Sequence, residues 1–202
     1  MDSRKGRSAT PFDTDRALVN RFRQGDVDAF HDLVQAHQAQ AFRMAFLWTR
    51  DWGRAEDVVQ EAFWKAWRRR AHLRDSARFS AWFLRILVNT YRDARRAQGR
   101  AVFGIPWGLV IESGDHTPGP EEAALETDER EFVIRALAAL GSEDRLVLTL
   151  RYLQGLAVTE VAAILGRPPN TVASRSFRAI KHLRKALRDM EEVSTGESKS
   201  LP

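Results

Sequence analysis

Residues 155–187, GLAVTEVAAILGRPPNTVASRSFRAIKHLRKAL, decide the fold of the C-terminal part of this chain. The stretch opens with a short predicted helix, Thr159–Leu165, whose apolar residues recur at helical spacing. Gly166 ends that helix, and the two prolines that follow prevent its continuation. Asn170 is then expected to cap a longer helix. Two helices joined by so short a turn predict a helix-turn-helix, whose second helix enters a DNA major groove by its N-terminal end.

The second helix of this motif carries a polar, cationic face. If Val172, Ala179 and Leu183 pack inward, about 3.6 residues per turn place the polar residues on the other side. Arginine bonds guanine through two hydrogen bonds, serine and threonine reach bases or phosphates, and a helix N-terminus suits phosphate. The candidate DNA contacts are Arg167, Thr171, Ser174, Arg175 and Arg178. A solvated basic face on an ordinary helical hairpin is the alternative.

Two further helices are predicted before this motif. One runs over about Glu129–Leu140, and the next starts at Ser142, a candidate N-cap, and continues to about Leu153. Glu143 and Asp144 lie in the first turn of the second helix, where negative charge complements the helix dipole.

From Asp15 to about Arg96, apolar residues recur at three- and four-residue steps almost throughout. The spacing predicts one helix after Asp26, a candidate N-cap, a second after a break at residues 51–53, and a third that starts at about Phe79. No stretch of this half alternates with the period of two that a half-buried strand requires. The fold class is therefore predicted to be all-α.

Glycine and proline interrupt the chain between these helical halves, at residues 99–128. A segment of about 30 residues without helical periodicity is typical of a linker, and it could span up to ~100 Å. Its apolar island, Phe103–Ile111, either docks on a partner or folds back on its own domain. The sequence thus predicts two small helical domains, joined by a long flexible linker and flanked by disordered tails. The domains are 15–98 and 129–188, and the tails are 1–14 and 189–202.

Composition excludes several classes of protein. The chain has 202 residues and no cysteine, which excludes disulfide scaffolds, thiolate zinc sites and thiol nucleophiles. No apolar run approaches the ~20 residues of a membrane span, and the first residues lack the apolar core of a signal peptide. The expected location is therefore the cytoplasm, without membrane insertion.

Charge is distributed unevenly along the chain. Residues 61–100 hold eleven Lys and Arg against three acids, and residues 166–188 hold seven cations and no acid. Between them, residues 112–131 hold eight acids and one Arg. Two positive blocks indicate two surfaces for a polyanion, although an Arg-rich proteome would leave a similar excess.

Two helix faces in the N-terminal half are candidate binding surfaces. Asp57, Gln60, Glu61 and Trp64 share one face of the second helix. A Trp on a polar face indicates a docking patch for a protein, with a solvated acidic face and a partly packed Trp as the alternative.

A cationic stripe marks the third helix. Arg85, Asn89, Arg92 and Arg96 recur at steps of four, three and four residues, with Arg95 adjacent. A stripe of this kind beside aromatic residues, preceded by a basic connector, suits single-stranded or melted nucleic acid. The connector cations are His72, Arg74 and Arg78. Alternatively, the neighbouring aromatic residues serve only as core.

Catalysis has little support in the sequence. The five histidines show no metal-ligand spacing, and no glycine-rich phosphate loop is present. We expect no enzymatic activity, no cofactor and no metal site.

The helical segments described above resemble those of a sigma factor of the sigma-70 family, in the extracytoplasmic-function (ECF, group IV) subfamily. The resemblance covers roughly Arg16–Arg96 and Glu129–Leu187. The segments AEDVVQEAFWKAW at 55–67 and FSAWFLRILVNTYRDARR at 79–96 are specific in combination. The helix-turn-helix alone is also similar to response-regulator domains.

The resemblance implies a specificity subunit that directs promoter recognition, promoter melting and transcription initiation by core RNA polymerase. Its implied partners are the polymerase β′ clamp helices and β flap, promoter DNA and an anti-sigma factor. The residues implied to bind core polymerase are Asp57, Gln60, Glu61 and Trp64. Those implied to contact the minus-ten element are His72, Leu73, Arg74, Arg78, Phe79, Asn89, Arg92, Arg95 and Arg96. Those implied to read the minus-thirty-five element are Arg167, Asn170, Thr171, Ser174, Arg175 and Arg178.

Two other functions are compatible with a helix-turn-helix. One is a DNA-binding regulator with an N-terminal ligand-binding or dimerisation domain. The other is a DNA-processing enzyme, such as a recombinase, that uses the motif for targeting. Promoter-dependent transcription with core polymerase separates the initiation factor from both.

Overall fold

The computed structural model describes residues 16–75, 79–97 and 127–197. Within those residues every regular element is helical, which confirms the predicted all-α class. The helices are α1 (Arg16–Arg23), α2 (Val27–Thr49), α3 (Trp52–Arg69), α4 (Phe79–Ala97), α5 (Thr127–Ala139), α6 (Ser142–Leu148), α7 (Val158–Leu165) and α8 (Pro169–Glu197). A 3-10 turn, Arg70–His72, follows α3, and a π-helical turn, Thr149–Leu153, follows α6. The N-terminal tail at 1–14, the apolar island and nearly all of the predicted linker lie outside the described residues.

Side-chain caps fix the starts of α2 and α3. The Asp26 carboxylate accepts a hydrogen bond from the Ala29 amide at 3.0 Å, which confirms the predicted N-cap. Asp51 caps α3 in the same way, accepting from the Arg54 amide at 2.8 Å. The break before α3 therefore ends at Asp51, two residues earlier than predicted, because this cap starts a helix that includes Gly53. Arg50, with φ of 59°, closes α2 in the left-handed conformation.

Helices α1–α4 form the N-terminal domain, whose core is rich in aromatic rings. Phe22 is fully buried, and its ring centroid lies 5.8 Å from those of Phe30 and Phe79. Phe63 and Phe83 stack at 4.6 Å deeper in the bundle. These rings come from all four helices, so one continuous apolar cluster holds the domain together.

Helices α5–α8 form the C-terminal domain and include the predicted helix-turn-helix. Gly166, with φ of 61°, ends α7 in the left-handed conformation, and its amide bonds the Ala162 carbonyl. At the start of α7, Glu160 accepts a hydrogen bond from the Ala157 amide at 2.7 Å, so this helix is capped without a hydroxyl at position 157.

Two predicted caps in the C-terminal domain are wrong. Asn170 lies inside the first turn of α8, because Pro169 occupies the first helical position, where its missing amide hydrogen costs nothing. Ser142 is the first residue of α6, and Gly141 is the cap; the Ser142 hydroxyl accepts instead from Arg95 of the N-terminal domain. The last helix continues to Glu197, nine residues beyond the predicted domain end, since no proline or glycine interrupts residues 189–195.

The two domains pack against each other. The largest apolar cluster contains side chains of both, including Trp48 of α2 and Leu146, Leu150 and Val161 of the C-terminal domain. The Trp48 indole donates to the Thr149 hydroxyl at 2.6 Å inside this interface. The predicted linker is long enough to hold the domains apart, yet in this structure they share a core.

Candidate nucleic-acid interface

The outer face of α8 is polar and cationic, as predicted for a recognition helix. Val172 and Ala179 are buried against the rest of the domain, so the opposite side of the helix faces solvent. Ser174, Arg178 and Lys181 are all exposed there, at steps of four and three residues. This row is free to approach a phosphate backbone or the base edges of a groove.

The residues predicted from the helix-turn-helix differ in how accessible they are. Five of them are exposed: Arg167, Asn170, Thr171, Ser174 and Arg178. Arg175 is half-buried, because it turns towards α6 and forms an ion pair with Asp144 at 3.1 Å. Five of the six predicted residues are thus accessible on the helix-turn-helix, and the sixth, Arg175, is paired with an acid of the same domain.

Sequence reasoning missed two residues of the α8 face. Lys181 follows Ser174 by seven residues and therefore lies directly along the same row, a placement that helical spacing alone could have given. Phe177 is 74 % exposed, whereas the neighbouring Ser176 is buried and donates to the Val172 carbonyl at 2.8 Å. Helical spacing is compatible with either of these neighbours pointing inward, and the packing of the domain decides that Ser176 does.

The predicted cationic stripe lies along α4, and two of its arginines, Arg92 and Arg95, contact the C-terminal domain. Asn89 is exposed, as is Arg85 one turn earlier. Arg92 is half-buried, with hydrogen bonds to the Glu143 carboxylate at 2.9 Å and the Leu165 carbonyl at 3.2 Å. Arg95 bonds the Ser142 hydroxyl and lies 3.7 Å from the same Glu143 carboxylate.

Arg96 is the most exposed of the α4 cations that carry an ion pair. Its partner is Asp93, three residues earlier on the same helix. An exposed intrahelical pair of this kind contributes little to stability. Arg96 can therefore exchange Asp93 for a phosphate at small cost.

The connector before α4 places its predicted residues in two different environments. His72, the last residue of the 3-10 turn, and Arg74 are both exposed. Leu73 and Phe79 are each 2 % exposed, since both apolar side chains pack into the core of the N-terminal domain. These two side chains do not reach the surface, so we remove them from the candidate DNA contacts. Arg78 lies outside the described residues.

The face of α3 that is predicted to dock a protein is polar and partly exposed. Asp57 is exposed, Gln60 and Glu61 are half-buried, and all three lie on one side of the helix. Glu61 forms an ion pair with Lys65 at 3.4 Å. Trp64 is 43 % exposed and lies under the Arg68 guanidinium, 5.9 Å from ring to cation.

Glu143, at the start of α6, places its carboxylate among arginines of α4 and α8. Burial favours its neutral form, but the hydrogen bond from Arg92 and the charges of Arg92, Arg95 and Arg175 outweigh burial. The pKa of Glu143 therefore lies below its ordinary value, and the carboxylate stays ionised at neutral pH.

No group of metal-ligating side chains comes together among the residues that the structure describes. None of the helices in those same ranges is long and apolar enough to span a bilayer.

Comparison with known proteins identifies both domains. The family model for sigma-70 region 2 matches residues 17–101, and the model for sigma-70 region 4 matches residues 130–183. The ECF RNA polymerase sigma-E factor of Escherichia coli is 37 % identical over 173 residues, which cover 82 % of this chain and 90 % of that relative. The RNA polymerase sigma-H factor of Pseudomonas aeruginosa is 33 % identical over 186 residues, covering 87 % and 95 %.

Solved structures agree with this assignment. CnrH, solved in complex with the cytosolic domain of CnrY, superimposes with a TM-score of 0.62 at 28 % identity, covering 87 % of this chain and 97 % of that one. The sigma factor RpoE of Bartonella quintana, solved with the anti-sigma factor NepR, shares the fold with a TM-score of 0.59 at 22 % identity, covering 79 % and 96 %. The chain belongs to the ECF sigma factors of the sigma-70 family.

Proposed function

We propose that this chain binds core RNA polymerase and directs it to promoters, where it reads two DNA elements and stabilises the melted strand. The observation that carries the proposal is the presence of three separate exposed faces, acidic on α3 and cationic on α4 and α8, on a chain matched by both family models. One acidic face and two cationic faces suit one protein partner and two contacts with nucleic acid.

The polymerase contact is assigned to α3. Asp57, Gln60, Glu61 and Trp64 present carboxylates, an amide and an aromatic ring on one side of a helix whose other side is buried in the domain core. A half-exposed Trp ringed by polar groups is the composition of a protein-binding hot spot. We assign the β′ clamp helices to this face and the β flap to the C-terminal domain.

The minus-ten contact is assigned to α4 and the connector before it. His72, Arg74, Asn89, Arg95 and Arg96 are accessible, and Arg92 becomes so when its acidic partner leaves. These cations would bind phosphates of the separated strands, while an unstacked base is trapped beside them. Holding one base out of the stack stabilises melted DNA without any covalent step, so no catalysis by this chain is required.

The minus-thirty-five contact is assigned to α8. Ser174 and Arg178 would face base edges, with Arg167, Asn170 and Thr171 at the helix N-terminus on phosphate. Lys181 extends the phosphate contacts along the groove, and the exposed ring of Phe177 is suited to contact a thymine methyl group.

Control by an anti-sigma factor belongs to the same proposal. The structural neighbour from Bartonella quintana was solved bound to such a factor. We assign a partner of that class to this chain as well.

Run-off transcription with purified core polymerase tests the function. A pool of promoter fragments, selected by the reconstituted holoenzyme, serves as template. We expect a discrete transcript only when this chain is added. Absence of any transcript with the folded protein would contradict the proposal, and tight duplex binding without polymerase or strand cleavage would favour a regulator or a DNA-processing enzyme.

A matched pair of double variants locates the polymerase contact. Asp57→Ala with Gln60→Ala removes two polar groups of the α3 face and should abolish assembly with core polymerase on a sizing column. Asp32→Ala with Gln35→Ala changes the same residue types at the same spacing on the exposed side of α2, and should leave assembly intact. Equal behaviour of the two variants would remove α3 from the polymerase interface.

A further inference from the structure

We propose that Arg70 is a positioning residue for the minus-ten contact, because it fixes the start of the connector that carries His72 and Arg74. This inference rests on the proposed function, since it concerns how those two exposed side chains are held towards DNA. Arg70 itself is half-buried and belongs to none of the contacts assigned above.

Three consecutive arginines at the end of α3 have different surroundings. Arg68 is exposed, and its guanidinium lies 5.9 Å from the centroid of the Trp64 ring. Arg69 is exposed as well. Arg70 is half-buried, and its guanidinium lies 4.3 Å from the centroid of the Trp67 ring. The third arginine of this run, unlike the first two, is therefore placed to join the end of α3 to the domain core.

The Trp67 ring connects Arg70 to the aromatic core of the N-terminal domain. Its centroid lies 5.0 Å from that of Phe30 and 6.2 Å from that of Phe22. A guanidinium over an aromatic face is attracted by the ring quadrupole. The Arg70 Nη1 also donates to the Trp67 carbonyl at 2.9 Å, which ties the side chain to the last turn of α3. Ring and carbonyl together hold the guanidinium in one orientation.

The turn between α1 and α2 passes close to the same guanidinium. Gly25, in that turn, has φ of 91°, in the left-handed region. A Cβ at this position would lie 3.3 Å from the Arg70 Nη2 and 3.4 Å from its Nε, closer than side chains normally pack. Glycine thus permits both the backbone conformation of the turn and the close approach of Arg70. The first three helices of the domain meet at this one side chain.

Arg70 is also the first residue of the 3-10 turn from which the connector leaves. The Leu73 amide donates to the Arg70 carbonyl at 3.2 Å, and the Leu73 side chain is buried in the core. Because the side chains of Arg70 and Leu73 are both held inward, His72 and Arg74 are left exposed. Loss of the Arg70 anchor would free the backbone that carries these two side chains.

A positioning role and a direct contact with DNA place different demands on residue 70. A direct phosphate contact needs a positive charge, which a lysine also supplies. A positioning role needs the planar guanidinium, which covers a ring and donates to a carbonyl at once, and the lysine ammonium lacks this shape. The test variants are Arg70→Lys and Arg70→Met, the second of which keeps a long side chain without charge. The matched controls are Arg69→Lys and Arg69→Met, at the neighbouring exposed arginine.

A spin label reports on the connector without any DNA. The chain has no cysteine, so Ala71→Cys, exposed in the 3-10 turn, is labelled alone. Continuous-wave electron resonance should give a restricted spectrum in the parent and in both Arg69 variants, and a fast component should appear in both Arg70 variants. Circular dichroism of each variant excludes general unfolding as the cause. An unchanged spectrum in the two Arg70 variants would overturn the proposal.

Binding of the holoenzyme to forked DNA gives the functional readout. One probe carries the minus-ten sequence recovered in the promoter selection, and the other carries the same bases in shuffled order. We expect the ratio of the two affinities to fall about tenfold in Arg70→Met and in Arg70→Lys alike, and to stay unchanged in both Arg69 variants. Recovery of the parent ratio by Arg70→Lys would show a direct charge contact and overturn the positioning role.

The two readouts separate this inference from the proposed function. The label spectrum needs neither polymerase nor promoter, so it tests the Arg70 anchor even where run-off transcription fails. Promoter-dependent transcription by the parent, together with an unchanged affinity ratio in both Arg70 variants, would leave the proposed function standing and contradict this inference.

Discussion

The two domains of this sigma factor are built in different ways. The N-terminal domain has a core of stacked aromatic rings contributed by all of its own helices. The C-terminal domain has a smaller, aliphatic core, and Leu47 from α2 packs into it beside Leu137 and Leu148. We therefore expect the N-terminal domain to depend mainly on its own aromatic contacts, and the C-terminal domain to depend on its neighbour for part of its apolar contacts.

The two domains also differ in the polar interactions that hold their helices together. Arg145 of the C-terminal domain satisfies carbonyls of both domains. Desolvation lowers the pKa of its guanidinium below the ordinary value, with the charge of Arg50 acting in the same direction. Among residues 16–75 and 79–97, no Lys, Arg, Asp or Glu side chain is buried. Directional hydrogen bonds thus fix the arrangement of helices in the C-terminal domain, whereas ring packing fixes it in the N-terminal domain.

The largest effect is expected in the aromatic core. Phe22→Ala removes a fully buried ring that contacts Phe30, Phe79 and Trp82, and should lower the free energy of unfolding of the N-terminal domain by about 3–5 kcal/mol. Urea unfolding followed by circular dichroism measures it. Phe177→Ala is the matched control, because that ring is exposed and its loss should change stability by no more than about 0.5 kcal/mol. A loss below about 1 kcal/mol for Phe22→Ala would show that the ring stack is not the main source of stability.

The next effect is expected where the domains meet. Arg145→Met keeps a long side chain but removes five hydrogen bonds to carbonyl oxygens, and should destabilise the C-terminal domain by about 3 kcal/mol. Chemical unfolding should show the C-terminal domain melting first. Arg188→Met, on the exposed side of α8, is the control and should be nearly neutral. A single unchanged transition would mean that the C-terminal domain does not depend on this residue.

Acidification should affect the N-terminal domain through His37. This side chain is buried beside the Phe79 ring, at 5.4 Å between centroids, and burial lowers its pKa to about 4. The unfolded chain binds a proton near pH 6.5 and the folded chain only near pH 4, so stability is complete above pH 6.5 and falls as the pH drops through this window.

The stability that is lost through protonation of His37 can be measured by comparing the parent with a variant that has no histidine at this position. Between pH 7 and 4.5 the parent should lose about 2 kcal/mol more than His37→Leu, whose residue does not titrate. Urea unfolding at a series of pH values gives both curves. Parallel curves for the two proteins would mean that His37 is protonated equally in the folded and unfolded states.

Local sequence signals predicted the helices well and the contacts between domains poorly. Asp26 and Gly166 act within one turn of the chain, so a cap and a stop could be identified from neighbouring residues alone. Glu143 was interpreted only as an acid at a helix N-terminus, because nothing near it in the sequence identifies Arg92 as its partner 51 residues away.

Burial of the connector illustrates the same limit. Leu73 and Phe79 are placed among DNA contacts by resemblance, yet each is apolar and the aromatic core has room for both. The choice between core and surface depends on how the four helices meet, which periodicity within one helix does not give. The same holds for Phe177 and Ser176, whose alternatives only packing could separate.

The smallest effect is expected for the hydrogen bond between Trp48 and Thr149, which joins the aromatic core of one domain to the aliphatic core of the other. Trp48 packs on Tyr91 within the N-terminal domain, and its indole donates to Thr149 of the C-terminal domain at 2.6 Å. Trp48→Phe keeps an aromatic ring and loses the donor, while Thr149→Val keeps the shape and loses the acceptor. The double-mutant cycle should give a coupling energy of about 1 kcal/mol from urea unfolding, since the double variant leaves neither group unpaired. Because the pair spans the interface, the coupling should decrease when Gln154→Ala removes the nearby buried hydrogen bond to Gln40. A coupling that persists in that background would mean that the aromatic and aliphatic cores remain joined at this point even when the remainder of the interface is weakened.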